Sequence, residues 1–255
     1  MKNLFLFLFL LVVFTSKAQD NRVSGLNSRQ FTKYWKVESE SPDYKVTFQG
    51  DTAEIVSPKG LTLWRKEKMS GKVTIEYDAC VVVESDGDRL SDLNCFWMAS
   101  DPQYPDNLWK REKWRSGIFL NCYSLQLYYL GYGGNHNSTT RFRRYDGDES
   151  GITNPKARPA ILKEYTDAGH LLKPNHWYHI KITNENNRVS YYIDGERLVD
   201  FRDAEPLREG WFGFRTTLSR TRITNFSYEC SSQEATAVPL QWIGETPRQD
   251  KVVSF

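Results

Sequence analysis

Along most of the chain apolar and polar residues alternate with a period of two, and few windows carry the helical period. β-branched and aromatic runs bounded by turn residues predict strands at Phe31 to Glu38, Tyr44 to Gln49, Thr52 to Val56, Leu61 to Trp64, Lys72 to Val83 and Leu93 to Ser100. Further strands are predicted at Ser116 to Asn121, Ser124 to Tyr132 and Thr139 to Tyr145. The last third is the most regular: Trp177 to Thr183, Arg188 to Ile193, Glu196 to Phe201, Gly210 to Thr217 and Thr221 to Glu229, with Asp194-Gly195 as a hairpin dipeptide. Residues 146–176 are polar, hold Pro155, Pro159 and Pro174, and predict a long loop with one helical turn. So many strands with no helices between them imply an all-β fold of two antiparallel sheets packed face to face. A sandwich of large curved sheets offers a concave outer face on which a long ligand can lie.

The N-terminus departs from this pattern. Lys2 precedes an apolar run from Leu4 to Phe14, and Ser16 and Ala18 form a small-residue cleavage site. Residues 1–18 therefore read as a signal peptide of bacterial type, with a periplasmic or secreted product and no membrane insertion after cleavage. Residues 19–230 are expected to form the β domain. Residues 231–255 form a C-terminal tail with one apolar patch (Leu240, Trp242, Ile243) that can pack on it. Removing Lys2 and Lys17 leaves 32 basic against 32 acidic residues. A neutral chain argues against a nucleic-acid partner, since phosphate binding normally leaves a basic surplus. Cys80, Cys95, Cys122 and Cys230 are too few for a disulfide scaffold and leave both bridges and buried thiols open. No cysteine or histidine spacing suggests zinc.

Charge is uneven within this neutral chain. From Trp109 to Arg144 there are seven basic residues (Lys110, Arg111, Lys113, Arg115, Arg141, Arg143, Arg144) and one acid, Glu112. The same stretch holds the Asn135-His136-Asn137 turn, Asn121 and several tyrosines. Strand parity places Phe142 in the core and Arg141, Arg143 and Tyr145 together on the opposite face. The same argument turns Phe212 and Phe214 inward and Trp211, Gly213 and Arg215 outward, with Gly213 leaving room for a sugar ring. In Leu93 to Ser100 the parity is ambiguous: either Asn94, Phe96 and Met98 or Cys95 and Trp97 face the core. The expected partner is an acidic oligo- or polysaccharide, because a guanidinium binds a carboxylate or sulfate at two points.

The series W-Y-H-I-K-I, R-V-S-Y-Y-I-D-G-E, G-W-F-G-F-R and I-T-N-F between Trp177 and Phe226 resembles the C-terminal half of concanavalin A-like lectin/glucanase domains. Residues 62–78 and 93–102 are similar to the matching N-terminal half. The segment YYLGYGGNHNSTTRFRRYDG (128–147) resembles an exported, polysaccharide-lyase-like branch found among polysaccharide-degradation proteins. The resemblance implies a β-jelly roll and a carbohydrate ligand, and leaves the reaction open because binding modules and enzymes share the fold.

Eliminating across C4–C5 of a uronate requires neutralising its carboxylate and removing the C5 proton. Arg141, Arg143, Asn135, Asn137 and Asn121 suit the first task, and His136, Tyr132 and Tyr145 the second. His136, Tyr145 and Arg141 are the expected catalytic residues. Arg143, Asn135, Asn137, Asn121, Tyr132, Arg215, Trp211 and Trp97 are the expected binding residues. The product is either a cleaved chain or a dehydrated oligosaccharide end. A non-catalytic carbohydrate-binding module is the alternative. A hydrolase is the third reading, with Glu76, Asp78 and Glu84 as the nearest carboxylates although no paired-glutamate motif is present. His170 is a candidate to close over the groove. No cofactor is required by this chemistry, and Asp86-Gly87-Asp88 is a candidate turn for structural calcium.

Overall fold

The computed structural model describes residues 23–231; the signal segment and almost all of the C-terminal tail lie outside them. In chain order the strands are β1 (Val23–Ser24), β2 (Trp35–Ser39), β3 (Lys45–Gln49), β4 (Thr52–Ser57), β5 (Leu61–Arg65), β6 (Met69–Ser70), β7 (Lys72–Val81) and β8 (Leu93–Ser100). They continue with β9 (Gln126–Gly133), β10 (Thr139–Asp146), β11 (Lys163–Tyr165), β12 (Tyr178–Glu185), β13 (Arg188–Ile193), β14 (Glu196–Arg202), β15 (Glu209–Thr216) and β16 (Ser219–Ser231).

These strands form the expected all-β sandwich. One sheet runs β14-β13-β12-β7-β16-β4-β3 with β1 on β16, and the other runs β11-β10-β9-β8-β15-β5-β2 with β6 on β15. The inner faces meet over Leu63, Tyr77, Trp97, Phe142, Tyr191, Phe212 and Phe214. Parity inside β8 is thereby decided: Cys95 and Trp97 face this core.

The outer face of the second sheet carries a second apolar layer of Trp64, Phe96, Leu127, Tyr145 and Trp211. Residues 101–125 cover it, packing Leu108, Cys122 and Tyr123 into the same cluster. Hence β5 and β8 are buried on both faces, and their sequences lack alternation. The cover is locked by charge. Arg115 is fully buried and holds Glu38 of β2 at two points, Nε to Oε1 at 3.2 Å and Nη2 to Oε2 at 3.0 Å, and it also donates to the Leu108 carbonyl at 2.7 Å. Arg111 reaches Asp101 at 2.7 Å and Glu149 at 2.5 Å. Burial pushes the Glu38 carboxyl up, and Arg115 pulls against it. At the far edge Asp203, just after β14, accepts from Arg144 Nε at 2.7 Å and from the Tyr128 hydroxyl at 2.6 Å, tying the two sheets together.

Two segments differ from the strand pattern. Phe31–Tyr34 is a helical turn, closed by Tyr34 N–H donating to the Gln30 carbonyl at 3.0 Å, with the Phe31 ring on Phe48. Ser116 and Gly117 take left-handed φ of 48° and 70°, which breaks the expected strand at Ser116 to Asn121, and a 3-10 turn follows at Leu120–Ser124. A Cβ at position 117 would lie 2.7 Å from the Ser39 Cα, so the cover approaches β2 there through glycine alone. The loop 146–176 contributes β11, which pairs with β10. All four cysteines are free thiols; burial pushes Cys95 and Cys122 up to about 12.

Replacing Arg115 by methionine strands the Glu38 carboxylate in the interior. We expect unfolding in urea, followed by tryptophan fluorescence, to lose about 3–5 kcal/mol, and the double variant Glu38→Leu/Arg115→Met to recover most of it.

Candidate functional site

The cover shields only part of the second sheet's outer face. Beside it lies a cavity of about 340 Å³. Its floor is one cross-strand row: Arg141 of β10 pairs with Gly131 of β9, Gly131 with Asn94 of β8, and Asn94 with Arg215 of β15. The adjacent row, Arg143, Tyr129 and Phe96, forms the side nearest the cover. Gly131 is the space-maker in this arrangement. A Cβ there would lie 2.3 Å from the Tyr129 hydroxyl, so the tyrosine leans across the glycine into the first row, between Arg141 and Asn94. Burial raises the Tyr129 hydroxyl well above the usual phenol range; Asp92 adds to the rise, and Arg215 and Arg143 oppose it. The hydroxyl is therefore protonated at neutral pH.

Four arginines line the cavity, and they differ in how far they are committed. Arg89 is held by Asp92 at 2.9 Å and by the Thr217 carbonyl at 2.9 Å. Arg141 pairs with Glu164 of β11 at 2.6 Å. Arg215 donates to the Gly117 carbonyl at 2.5 Å and lies 4.0 Å from Glu40. Arg143 donates to the Pro159 carbonyl and has no carboxylate partner among the described residues. Two carboxylates share the cavity. Asp92 accepts from Ser91 Oγ at 2.7 Å and from Asn94 Nδ2 at 3.1 Å besides its arginine, whereas the side chain of Glu40 has only the long contact to Arg215.

Of the expected site residues, Arg141, Arg143, Arg215 and Asn135 line this cavity. The others do not. Tyr145 has the predicted parity but is fully buried beneath the cover, its ring 5.2 Å from Tyr123 and its hydroxyl without a partner. His136 sits exposed on a left-handed turn (φ 58°) and does not border the cavity. Asn137 clasps the backbone of Leu172 through both amide atoms, at 2.8 and 2.9 Å. Asn121 donates to the Trp114 carbonyl at 3.0 Å and closes the cover. Tyr132 faces the opposite side of its sheet, edge-on to Tyr178, and donates to the Leu171 carbonyl at 3.2 Å. Trp97 is core. Trp211 lies under the cover with Nε1 on the Lys66 carbonyl at 3.1 Å, and the space over Gly213 is filled by the Trp64 ring.

His170 does not close over the groove either. It stacks on Tyr165 with ring centroids 4.0 Å apart, bonds Asp167 at 2.7 Å, and borders a separate cavity of about 130 Å³. Glu76 and Asp78 stand on the outer face of the first sheet, where Asp78 meets His179 at 2.7 Å and Lys181 meets Glu76 at 3.2 Å. Asp88 spends one carboxylate oxygen on the backbone N–H groups of Glu84 and Ser85, as a turn cap does. Sequence reasoning missed Tyr129, Asn94, Arg89, Asp92 and Glu40. Tyr129 is the cross-strand partner of Arg143 and precedes Gly131 by two residues on the same face, and that glycine was its signal in the sequence; Glu40 offered none.

The Tyr145 placement is directly testable. Because its buried hydroxyl is unpaired, Tyr145→Phe is expected to leave the melting temperature unchanged or raise it, by up to about 1 kcal/mol in stability, and to leave ligand binding intact.

The fold matches a Bacillus subtilis protein of unknown function with a galectin-like fold (TM-score 0.61, 15% identity, covering 77% of this chain and 89% of that one). It also matches the carbohydrate-binding module CBM66 from Bacillus subtilis (TM-score 0.50, 15% identity, 76% and 94% covered). A native glycosidic hydrolase is similar as well (TM-score 0.52, 8% identity, 84% and 97% covered). No curated protein matches the sequence. The profile of one family, described as a domain of unknown function, matches residues 55–226, most of the chain, and the protein belongs to that family, DUF6250.

Proposed function

We propose that the protein is a carbohydrate-active carbon–oxygen lyase that seats a uronate residue in the cavity beside the cover and eliminates across its C4–C5 bond. The observation that carries this reading is the row Arg141, Gly131, Asn94, Arg215 with the Tyr129 hydroxyl held over its glycine. Similar folds in a carbohydrate-binding module and a glycosidic hydrolase support a sugar ligand.

Removing the C5 proton puts negative charge on the sugar carboxylate, and guanidinium groups that are already in place stabilise that charge without reorganising. Arg143 serves this end best, because no carboxylate competes for it among the described residues. Glu40 is the proton acceptor, since Asp92 is occupied by three donors and Glu40 is not. As the C5–H electrons form the C4=C5 bond, the C4–O bond breaks, and the protonated Tyr129 delivers its proton to the leaving oxygen. If that oxygen is glycosidic the chain is cut; if it is a terminal hydroxyl, water leaves.

Two carboxylates in one cavity also suit hydrolysis, which needs both to exchange protons or attack. The saturated hydrogen bonding of Asp92 favours elimination. Incubation with uronate-rich oligosaccharides is expected to produce the ultraviolet absorbance of a conjugated alkene. Tyr129→Phe and Glu40→Gln are each expected to lower that rate about 10²-fold or more with unchanged circular dichroism. New reducing ends without the absorbance would establish the hydrolase, and binding with neither product would establish a non-catalytic module.

A further inference from the structure

The outer face of the first sheet carries a second ligand-sized feature, separate from the cavity. Side chains there form cross-strand rows set by the register. The middle row is Asp200 of β14, Ser190 of β13, Thr183 of β12 and Thr74 of β7. Three of these four are short hydroxyl side chains, so they make a low floor. Long side chains rise on both flanks. On one side stand Arg202, Arg188 and Glu185, with Lys72 paired to Glu185 at 2.9 Å. On the other stand Arg197, Tyr192 and Lys181. The resulting trough has a volume of about 480 Å³ and runs across the strands. Three inter-strand steps of about 4.8 Å give it a length of about 14 Å.

Its charge is unbalanced where it matters. Arg188 and Arg197 share the single carboxylate of Asp200, at 2.6 and 3.2 Å, and Arg202 is exposed, adding to the positive field on Asp200 with no close ion pair among the described residues. Three guanidinium groups around one carboxylate leave donor capacity for another oxyanion. Hydroxyls along a floor match the hydroxyls of a sugar, and the half-buried Tyr192 offers a ring to its C–H face. The trough lacks the paired exposed aromatics on which nucleic-acid bases stack.

We propose that this trough binds an extended anionic polysaccharide chain, its carboxylate or sulfate groups on Arg188 and Arg202 and its hydroxyls on Ser190, Thr183 and Thr74. The trough runs across four strands, and its occupant is a length of polymer. The protein therefore holds a chain on one face independently of what it does with a sugar unit on the other.

Affinity electrophoresis in gels containing polygalacturonate or chondroitin sulfate tests this. Retardation of the wild-type protein is expected to weaken with salt. It is expected to persist in Arg143→Ala, which alters only the cavity. The double variant Arg188→Ala/Arg202→Ala is expected to bind at least about fivefold more weakly, and Thr183→Glu, which places a carboxylate on the floor without touching the core, to abolish retardation. Both trough variants keep the wild-type circular dichroism and the wild-type rate on short uronate oligosaccharides. Unchanged retardation in the trough variants overturns the proposal, as does retardation lost in Arg143→Ala alone or tighter retention by single-stranded DNA. Because binding and elimination are read separately, failure of the trough leaves the reading of the cavity standing, and the reverse also holds.

Discussion

The buried pair between Arg115 and Glu38 decides how the second sheet presents itself. Without a cover, the outer face of that sheet would expose Trp64, Phe96, Tyr145 and Trp211 to water, an apolar patch of the kind that drives association. Residues 101–125 bury it, but they contain little regular structure and cannot hold their position through backbone pairing. Arg115 supplies the attachment, using a planar fork to grip one carboxylate at two points while reaching the cover's own backbone. The edge of the cover is then the wall of the cavity: Gly117 and Phe119 belong to the cover, and Arg215 is fixed by the Gly117 carbonyl.

The sheets were readable in the sequence because their inner faces alternate. Leu93 to Ser100 and Arg188 to Ile193 were placed to the residue. Parity also put Arg141, Arg143 and Arg215 on the correct face. What the alternation does not encode is whether an outward residue meets solvent or a second layer. Tyr145 and Trp211 have the same parity as the arginines of the cavity, yet both are roofed over. The ambiguity at Phe96 and Trp97 has the same origin, since a strand buried on both faces is apolar at every position.

The cluster of basic residues from Trp109 to Arg144, which looked like one feature, divides by partner. Arg111 and Arg115 fix the cover, and Arg144 binds the edge of the first sheet through Asp203. Only Arg141 and Arg143 reach the cavity. Counting charges along a segment therefore overstated its ligand-binding capacity, because three of the seven basic residues are taken up by the buried carboxylates Glu38, Asp101 and Asp203. Tyr129 and Glu40 were hidden for the opposite reason: Tyr129 looks ordinary within β9 and Glu40 lies just past the end of β2, and only the glycine at position 131 or the fold of the chain gives each a task.

Asp203 has a mechanical consequence. It follows Arg202 directly, and it grips Arg144 and Tyr128 of the opposite sheet. A sandwich without such a tie can gape along its open side, where the outermost strands have a neighbour on one flank only. Here that side is riveted by a charge-assisted bond. Traction on a polymer lying across β14 would pass through this rivet into β9 and β10, so the two halves would move as one plate and would not peel apart.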